Sequence, residues 1–213
     1  MGRKTLAYYD NNAEKFVSDT FEVGFRDVQD RFVSLLEKNS LILDFGCGSG
    51  RDAKYFLDRG FRVEAVDGSG ELCRIASQNI GIEVKQMLFS ELSEIERYDG
   101  IWACASVLHL PKDELSDVMV KMVRAVKAGG YIYMSFKYGD FEGFRNGRYF
   151  TDFTEEKFSD FISCISGVTV ISKWISGDVR QGRGDERWLN LILQKSEVEC
   201  SLTDRCVMAW REP

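Results

Sequence analysis

The run LILDFGCGSG, residues 41–50, puts Asp44 at the end of a short apolar strand and Gly46, Gly48 and Gly50 at alternate positions in the turn that follows. Glycine permits positive φ and close main-chain approach to a ligand, and the first N–H groups of the next helix favour a carboxylate or phosphate. A dinucleotide fingerprint needs its third glycine three residues after the second, and that position is Arg51. Asp44 points the same way, because an acid at the carboxyl end of a strand repels a pyrophosphate and suits a cationic ligand. S-adenosylmethionine, with its ammonium and sulfonium, is such a ligand. Further on, VEAVDGS ends a second strand in Asp67, about 20 residues beyond the glycines, where a carboxylate can take up two ribose hydroxyls.

The other group with obvious chemistry is His109, the single histidine of the chain, in CASVLHLP. It is the candidate general base, although a lone histidine beside an apolar run reads as a half-buried group that tunes chemistry rather than drives it. The six cysteines, Cys47, Cys73, Cys104, Cys164, Cys200 and Cys206, contain no C-x-x-C pair. With one histidine they offer no zinc set, and without a signal peptide they read as reduced thiols.

Strictly alternating elements must position these residues. Strands are expected over 41–43, with Asp44 and Phe45 delivered to the turn, and over 62–66, 82–87, 99–105, 131–136, 168–174 and 187–193, and helices over 52–59, 71–79, 112–126 and 155–162. Two amphipathic helices, 5–19 and 26–38, precede the first strand. Alternation of this kind implies a mostly parallel sheet with helices on both faces and a ligand at the carboxyl edge. Residues 137–153, rich in aromatics and breakers, are expected to form a loop over the mouth of the pocket.

Taken together and in order, LDFGCGSGRD, VEAVDGS, YDGIWACASVLHL and VKAGGYIYMSFK resemble the class I S-adenosylmethionine-dependent methyltransferases. Within them the chain looks like the small-molecule branch that includes the tellurite-resistance methyltransferases. The resemblance implies an α/β, single-domain, Rossmann-like seven-stranded sheet whose last strand is antiparallel. It implies a domain over 1–196 with 1–39 as a helical cap, leaving 197–213 as a tail. It also implies site roles. Asp44 would face the methionine moiety, and Gly46, Cys47 and Gly48 would contact it through backbone. Asp67, with Gly68 beside it, would hold the ribose. Leu88 and Phe89 would flank adenine, Cys104 and Ala105 would lie under the methyl, and Tyr9 would close over the cofactor. Glu91 is out of the usual register for an adenine partner. Because the resembled family includes enzymes acting on small oxyanions, and guanidinium groups bind such anions with paired hydrogen bonds, Arg148 and Arg183 are expected to line an anion-accepting pocket.

Composition narrows the field. A formal net charge of −6 argues against a broad nucleic-acid surface. No apolar run approaches the ~18 residues of a membrane helix, so the expectation is a cytoplasmic monomer or homodimer acting on a small molecule. Arg51 and Asp44 speak against a nicotinamide oxidoreductase, and a nucleic-acid methyltransferase would carry an N-P-P-Y type motif that is missing. A catalytically silent binding module of the same fold is the stronger rival.

Overall fold

The computed structural model describes residues 2–180 and 182–197. Its centre is a seven-stranded sheet built from β1 (Leu41–Phe45), β2 (Arg62–Asp67), β3 (Val84–Gln86), β4 (Tyr98–Ala103), β5 (Val126–Lys137), β8 (Val168–Gly177) and β9 (Arg187–Lys195). The spatial order is β3-β2-β1-β4-β5-β9-β8. The first five strands run parallel, and β9 is antiparallel to both neighbours. Order reverses between β1 and β4, so the carboxyl ends of these two strands flank the crevice in which ligands of open α/β sheets bind.

Side-chain alternation along the central strands divides the core into two layers. Leu43, Phe45, Ile101, Ile132 and Met134 face one side, where Met119 and Met122 of α6 (Lys112–Ala125) and Phe158 of α7 (Glu155–Ser163) cover them. Ile42, Trp102 and Tyr133 face the other, against Phe32 of α3 (Arg26–Val33) and Phe56 of α4 (Arg51–Asp58). Trp102 stacks on Tyr133 with centroids 3.9 Å apart. Phe32 and Phe56 are fully buried, and truncating either to alanine costs about 3–5 kcal/mol. The remaining helix of the sheet, α5 (Gly70–Ile80), is capped by the Ser69 hydroxyl, which accepts the Leu72 N–H.

Three expectations need correction. The single helix over 5–19 is two, α1 (Arg3–Asn11) and α2 (Ala13–Thr20). Asn12 leaves helical geometry at φ −122° between them, and its amide Nδ2 donates to the Tyr8 carbonyl at 2.7 Å. The helix from Arg26 stops at Val33 rather than Lys38. The segment 137–153 is not a plain loop, because it holds an antiparallel hairpin of β6 (Glu142–Arg145) and β7 (Arg148–Thr151). Asn146 and Gly147 make its turn, both with positive φ. The expected tail beyond Glu197, with Cys200 and Cys206, lies outside the described residues. Among the described residues no helix is long and apolar enough to cross a membrane.

Candidate functional site

The glycine turn after β1 is pinned to the end of β2. The N–H groups of Gly46 and Cys47 donate to the Val66 carbonyl at 2.9 and 3.0 Å, and the Gly48 N–H donates to Asp67 Oδ2 at 2.9 Å. The other oxygen, Oδ1, accepts the Ser69 N–H at 2.9 Å. Gly46, Gly48 and Gly50 all have positive φ, and a Cβ on Gly46 would stand 2.5 Å from that of Ser106. Burial pushes the Asp67 carboxyl above its ordinary range, partly offset by the N–H groups of Ser69, Gly48 and Gly68. These elements form one wall of a cavity that also takes in Phe16, Leu72 and Phe89.

The floor comes from the exit of β4. Ala105 has φ 49°, a left-handed conformation that costs an L-residue roughly 1–2 kcal/mol. The Ser135 hydroxyl holds it there by accepting the Ala105 N–H at 2.9 Å. Beside it, Cys104 is pushed up to about 12, first by burial and then by the Asp52 charge, so its thiol is protonated at neutral pH.

The roof is made by α1 and the hairpin. Tyr149 donates its N–H to Thr5 Oγ1 at 3.0 Å, and Thr151 donates its hydroxyl to the Leu110 carbonyl at 2.7 Å. His109 is held at both ring nitrogens, with Nδ1 2.6 Å from the Tyr149 carbonyl and Nε2 2.7 Å from the Tyr9 hydroxyl. Burial lowers its pKa to about 3, an effect that the neighbouring Arg148 charge reinforces. Arg148 lies over the rings of Tyr8, Tyr9 and Phe150, and its Nη1 reaches the Tyr9 oxygen at 3.4 Å.

At the far end the cavity is basic. Arg51, Lys137, Arg148, Arg180 and Arg183 all contribute to its wall. Four of them are paired: Arg51 with Asp52 at 2.8 Å, Lys137 with Glu186, Arg180 with Asp178, and Arg183 with Glu186 at 3.7 Å. Arg148 has no carboxylate partner among the described residues, and its buried Nε makes no hydrogen bond.

Residues 42–130 match a family model described as a methyltransferase domain. Among curated proteins the chain is 26% identical over 157 residues to an uncharacterized methyltransferase of Geobacillus thermodenitrificans, covering 68% of this chain and 73% of that one. Among solved structures it superposes on Burkholderia thailandensis 1,6-didemethyltoxoflavin-N1-methyltransferase, crystallised with 1,6-didemethyltoxoflavin and S-adenosylhomocysteine. That match has a TM-score of 0.74 and 21% identity, over 91% of this chain and 88% of the other. The N-methyltransferase NodS of Bradyrhizobium japonicum, in complex with S-adenosyl-l-homocysteine, matches with a TM-score of 0.66 and 16% identity, over 87% and 97%. The chain has the class I methyltransferase fold.

This methyltransferase fold brings most of the expected residues to one cavity. Tyr9, Gly46, Cys47, Gly48, Asp67 and Phe89 lie on its wall, and so do Cys104, Ala105, His109, Arg148 and Arg183. Three do not. Asp44 is buried on the same face of β1 as Ile42, beneath the turn, rather than turned into the cavity. Desolvation and the nearby Asp52 push its carboxyl well above the usual range, and its Oδ2 has no hydrogen-bond partner. Gly68 is buried behind Asp67, its carbonyl accepting from the Gln86 side chain at 3.2 Å. Leu88 lies off the wall because the chain turns there into one short helical turn, Phe89–Glu91, with Glu91 Oε2 accepting the Leu88 N–H at 2.7 Å. Glu91 is thereby used locally.

Sequence reasoning also passed over Asp52, the hub beneath the basic end. It accepts from Gln29 at 2.6 Å, from Arg51 through both oxygens, and from the Trp102 indole at 2.8 Å. Its only sequence signal is its place one residue after Arg51.

Proposed function

We propose that this protein transfers the methyl group of S-adenosylmethionine to a small, negatively charged acceptor. In this reading residues 1–196 are one methyltransferase domain with 1–39 as its cap, acting in the cytoplasm. The cavity suits the cofactor on two counts. A carboxylate, Asp67, stands in its wall, anchored by two backbone N–H groups that leave further lone pairs for hydroxyls. Gly46 and Gly48 border the same space without side chains. When bound, the cofactor supplies an electrophilic methyl on a sulfonium. The chain's task is then to align the acceptor and exclude water, since the sulfur departs neutral.

The observation that carries the acceptor charge is Arg148, a cavity guanidinium whose companions are all paired with acids while it has no acidic partner among the described residues. Arg148 is half-buried with its Nε fully buried and unbonded, and desolvating a cation without a counter-charge is costly. An anionic acceptor would supply that charge through paired hydrogen bonds. Small carboxylates and metalloid oxyanions such as tellurite meet this description.

Calorimetry with S-adenosylmethionine, followed by product mass spectrometry on a panel of carboxylates, tellurite, selenite and neutral analogues, tests the reading. Methylated anions are expected. Cofactor binding with no transfer to any acceptor would favour the silent module, and transfer to neutral molecules alone would sink the anionic acceptor.

A further inference from the structure

The roof of the cavity fixes one proton. A carbonyl oxygen can only accept, so the 2.6 Å contact between His109 Nδ1 and the Tyr149 carbonyl requires Nδ1 to carry hydrogen. The ring is fully buried and faces the Arg148 cation, so it is neutral and Nε2 is the acceptor. The 2.7 Å contact at Nε2 is therefore a bond donated by Tyr9. The phenolic hydrogen points at His109, which leaves the Tyr9 oxygen with lone pairs only. One is approached by Arg148 Nη1 at 3.4 Å, and the other is free to face the cavity that Tyr9 lines.

We propose that Tyr9 is a catalytic residue whose hydroxyl oxygen receives the hydrogen of the acceptor's nucleophilic O–H or ring N–H, with His109 as a positioning residue that keeps the phenolic hydrogen turned away. The inference rests on the methyltransferase reading and narrows the acceptor to an anion that bears an X–H nucleophile near its charged group. The charged group meets Arg148 and the X–H meets Tyr9, two residues in contact with one another. As the X–C bond forms, the C–S bond breaks and its electron pair stays on sulfur. The X–H proton, made strongly acidic by the new bond, passes to Tyr9 Oη while the phenolic proton passes to His109 Nε2. The imidazolium is disfavoured by burial and by Arg148, and it gives up this proton to solvent once product has left.

Because His109 is the only histidine in the chain, its ring nitrogens can be read without assignment by ¹⁵N NMR of untagged protein. The expected spectrum has a protonated Nδ1 and an unprotonated Nε2, both unchanged from about pH 5.5 to 8, where a free imidazole titrates. Among the described residues the charged and titratable groups around this pair are Arg148 on the hairpin, Asp67 at the end of β2, Tyr8 on α1 and Arg180 in the connection between β8 and β9. Tyr9→Phe should shift the Nε2 resonance and leave Nδ1 in place. An Nε2–H tautomer, or titration near pH 6.5, would overturn the proposal.

The kinetic arm uses anionic acceptors offered in pairs, X–H and its X-methylated form. Wild type should methylate only the X–H member. Tyr9→Phe should lose roughly tenfold or more in kcat, the scale of a positioning defect, with little change in the KM for S-adenosylmethionine. His109→Leu should match it, His109→Gln should recover only part of the rate because its amide oxygen can hold the Tyr9 hydrogen in place but cannot take up the proton, and Tyr9→Phe with His109→Leu should be no worse than either. Full turnover in folded Tyr9→Phe, or additive losses in the double variant, would sink the inference. A wild type that binds no S-adenosylmethionine would instead fail the underlying reading, which calorimetry detects before any variant is made.

Discussion

Asp67 accepts the backbone N–H of Gly48 at 2.9 Å, so the acid at the end of β2 holds the turn at the end of β1 in place. The carboxylate is both a lining group and a structural brace. Asp67→Ala is accordingly expected to lower S-adenosylmethionine affinity and thermal stability together, by about 1–3 kcal/mol each, since a buried N–H is left unsatisfied. Asp67→Asn keeps an acceptor oxygen for one of the two N–H groups and should recover part of the stability. Calorimetry and melting curves on both variants separate the two roles. Unchanged affinity in either would remove Asp67 from the site.

Gly46 should tolerate nothing larger. Its φ is 89° and a Cβ would meet Ser106 at 2.5 Å, so Gly46→Ala combines a strained backbone with a collision against a residue whose hydroxyl is bonded to the Phe45 carbonyl at 2.6 Å. Gly60→Ala has a comparable φ of 82° and open space around it, and should lose only the conformational term of roughly 1–2 kcal/mol. Equal melting temperatures for the two variants would contradict the close packing at the turn.

Arg148→Ala should raise the KM for an anionic acceptor by roughly tenfold to a hundredfold, the range for losing a charge-assisted bond of about 1.5–3 kcal/mol. Arg183→Ala should do less, because Arg183 is 42% exposed and already faces Glu186. Arg148→Lys keeps the charge without the planar fork and should recover only part of the loss. Steady-state kinetics on the three variants check the order.

His109 also makes stability depend on pH. Its folded pKa is about 3, below the 6.5 of the unfolded chain, so below pH 6.5 the unfolded state binds a proton that the folded state refuses. Stability contributed by the neutral ring is present above pH 6.5 and falls as pH drops towards 3, with a slope of up to about 1.4 kcal/mol per pH unit from this one group. His109→Gln should flatten that part of the curve, as read from denaturant melts between pH 4 and 7.

The sheet was legible because its signals are local. Apolar strands, glycine turns and helical periodicity alternate in the chain as they do in space, and β9 fell where the short return after β8 suggested. The hairpin could have been read as well, since Asn146-Gly147 flanked by Arg-Tyr-Phe and Gly-Phe-Arg is a strong two-residue turn signal. The aromatic content of that stretch concealed it. Asp44 illustrates what sequence cannot supply. Its place after β1 is plain, but whether its carboxylate enters the cavity depends on which face of the strand it occupies and on α4 packed across that face. The pairing of Tyr9 with His109 joins positions 100 residues apart, and only the closed fold brings them together.

The left-handed backbone at Ala105 bears on how a ligand is received. A floor already bent, and held by the Ser135 hydroxyl, has its unfavourable conformation met during folding. No rearrangement of that segment has to be driven by the arriving molecule, so contact energy there remains available as affinity instead of being consumed in reshaping the protein.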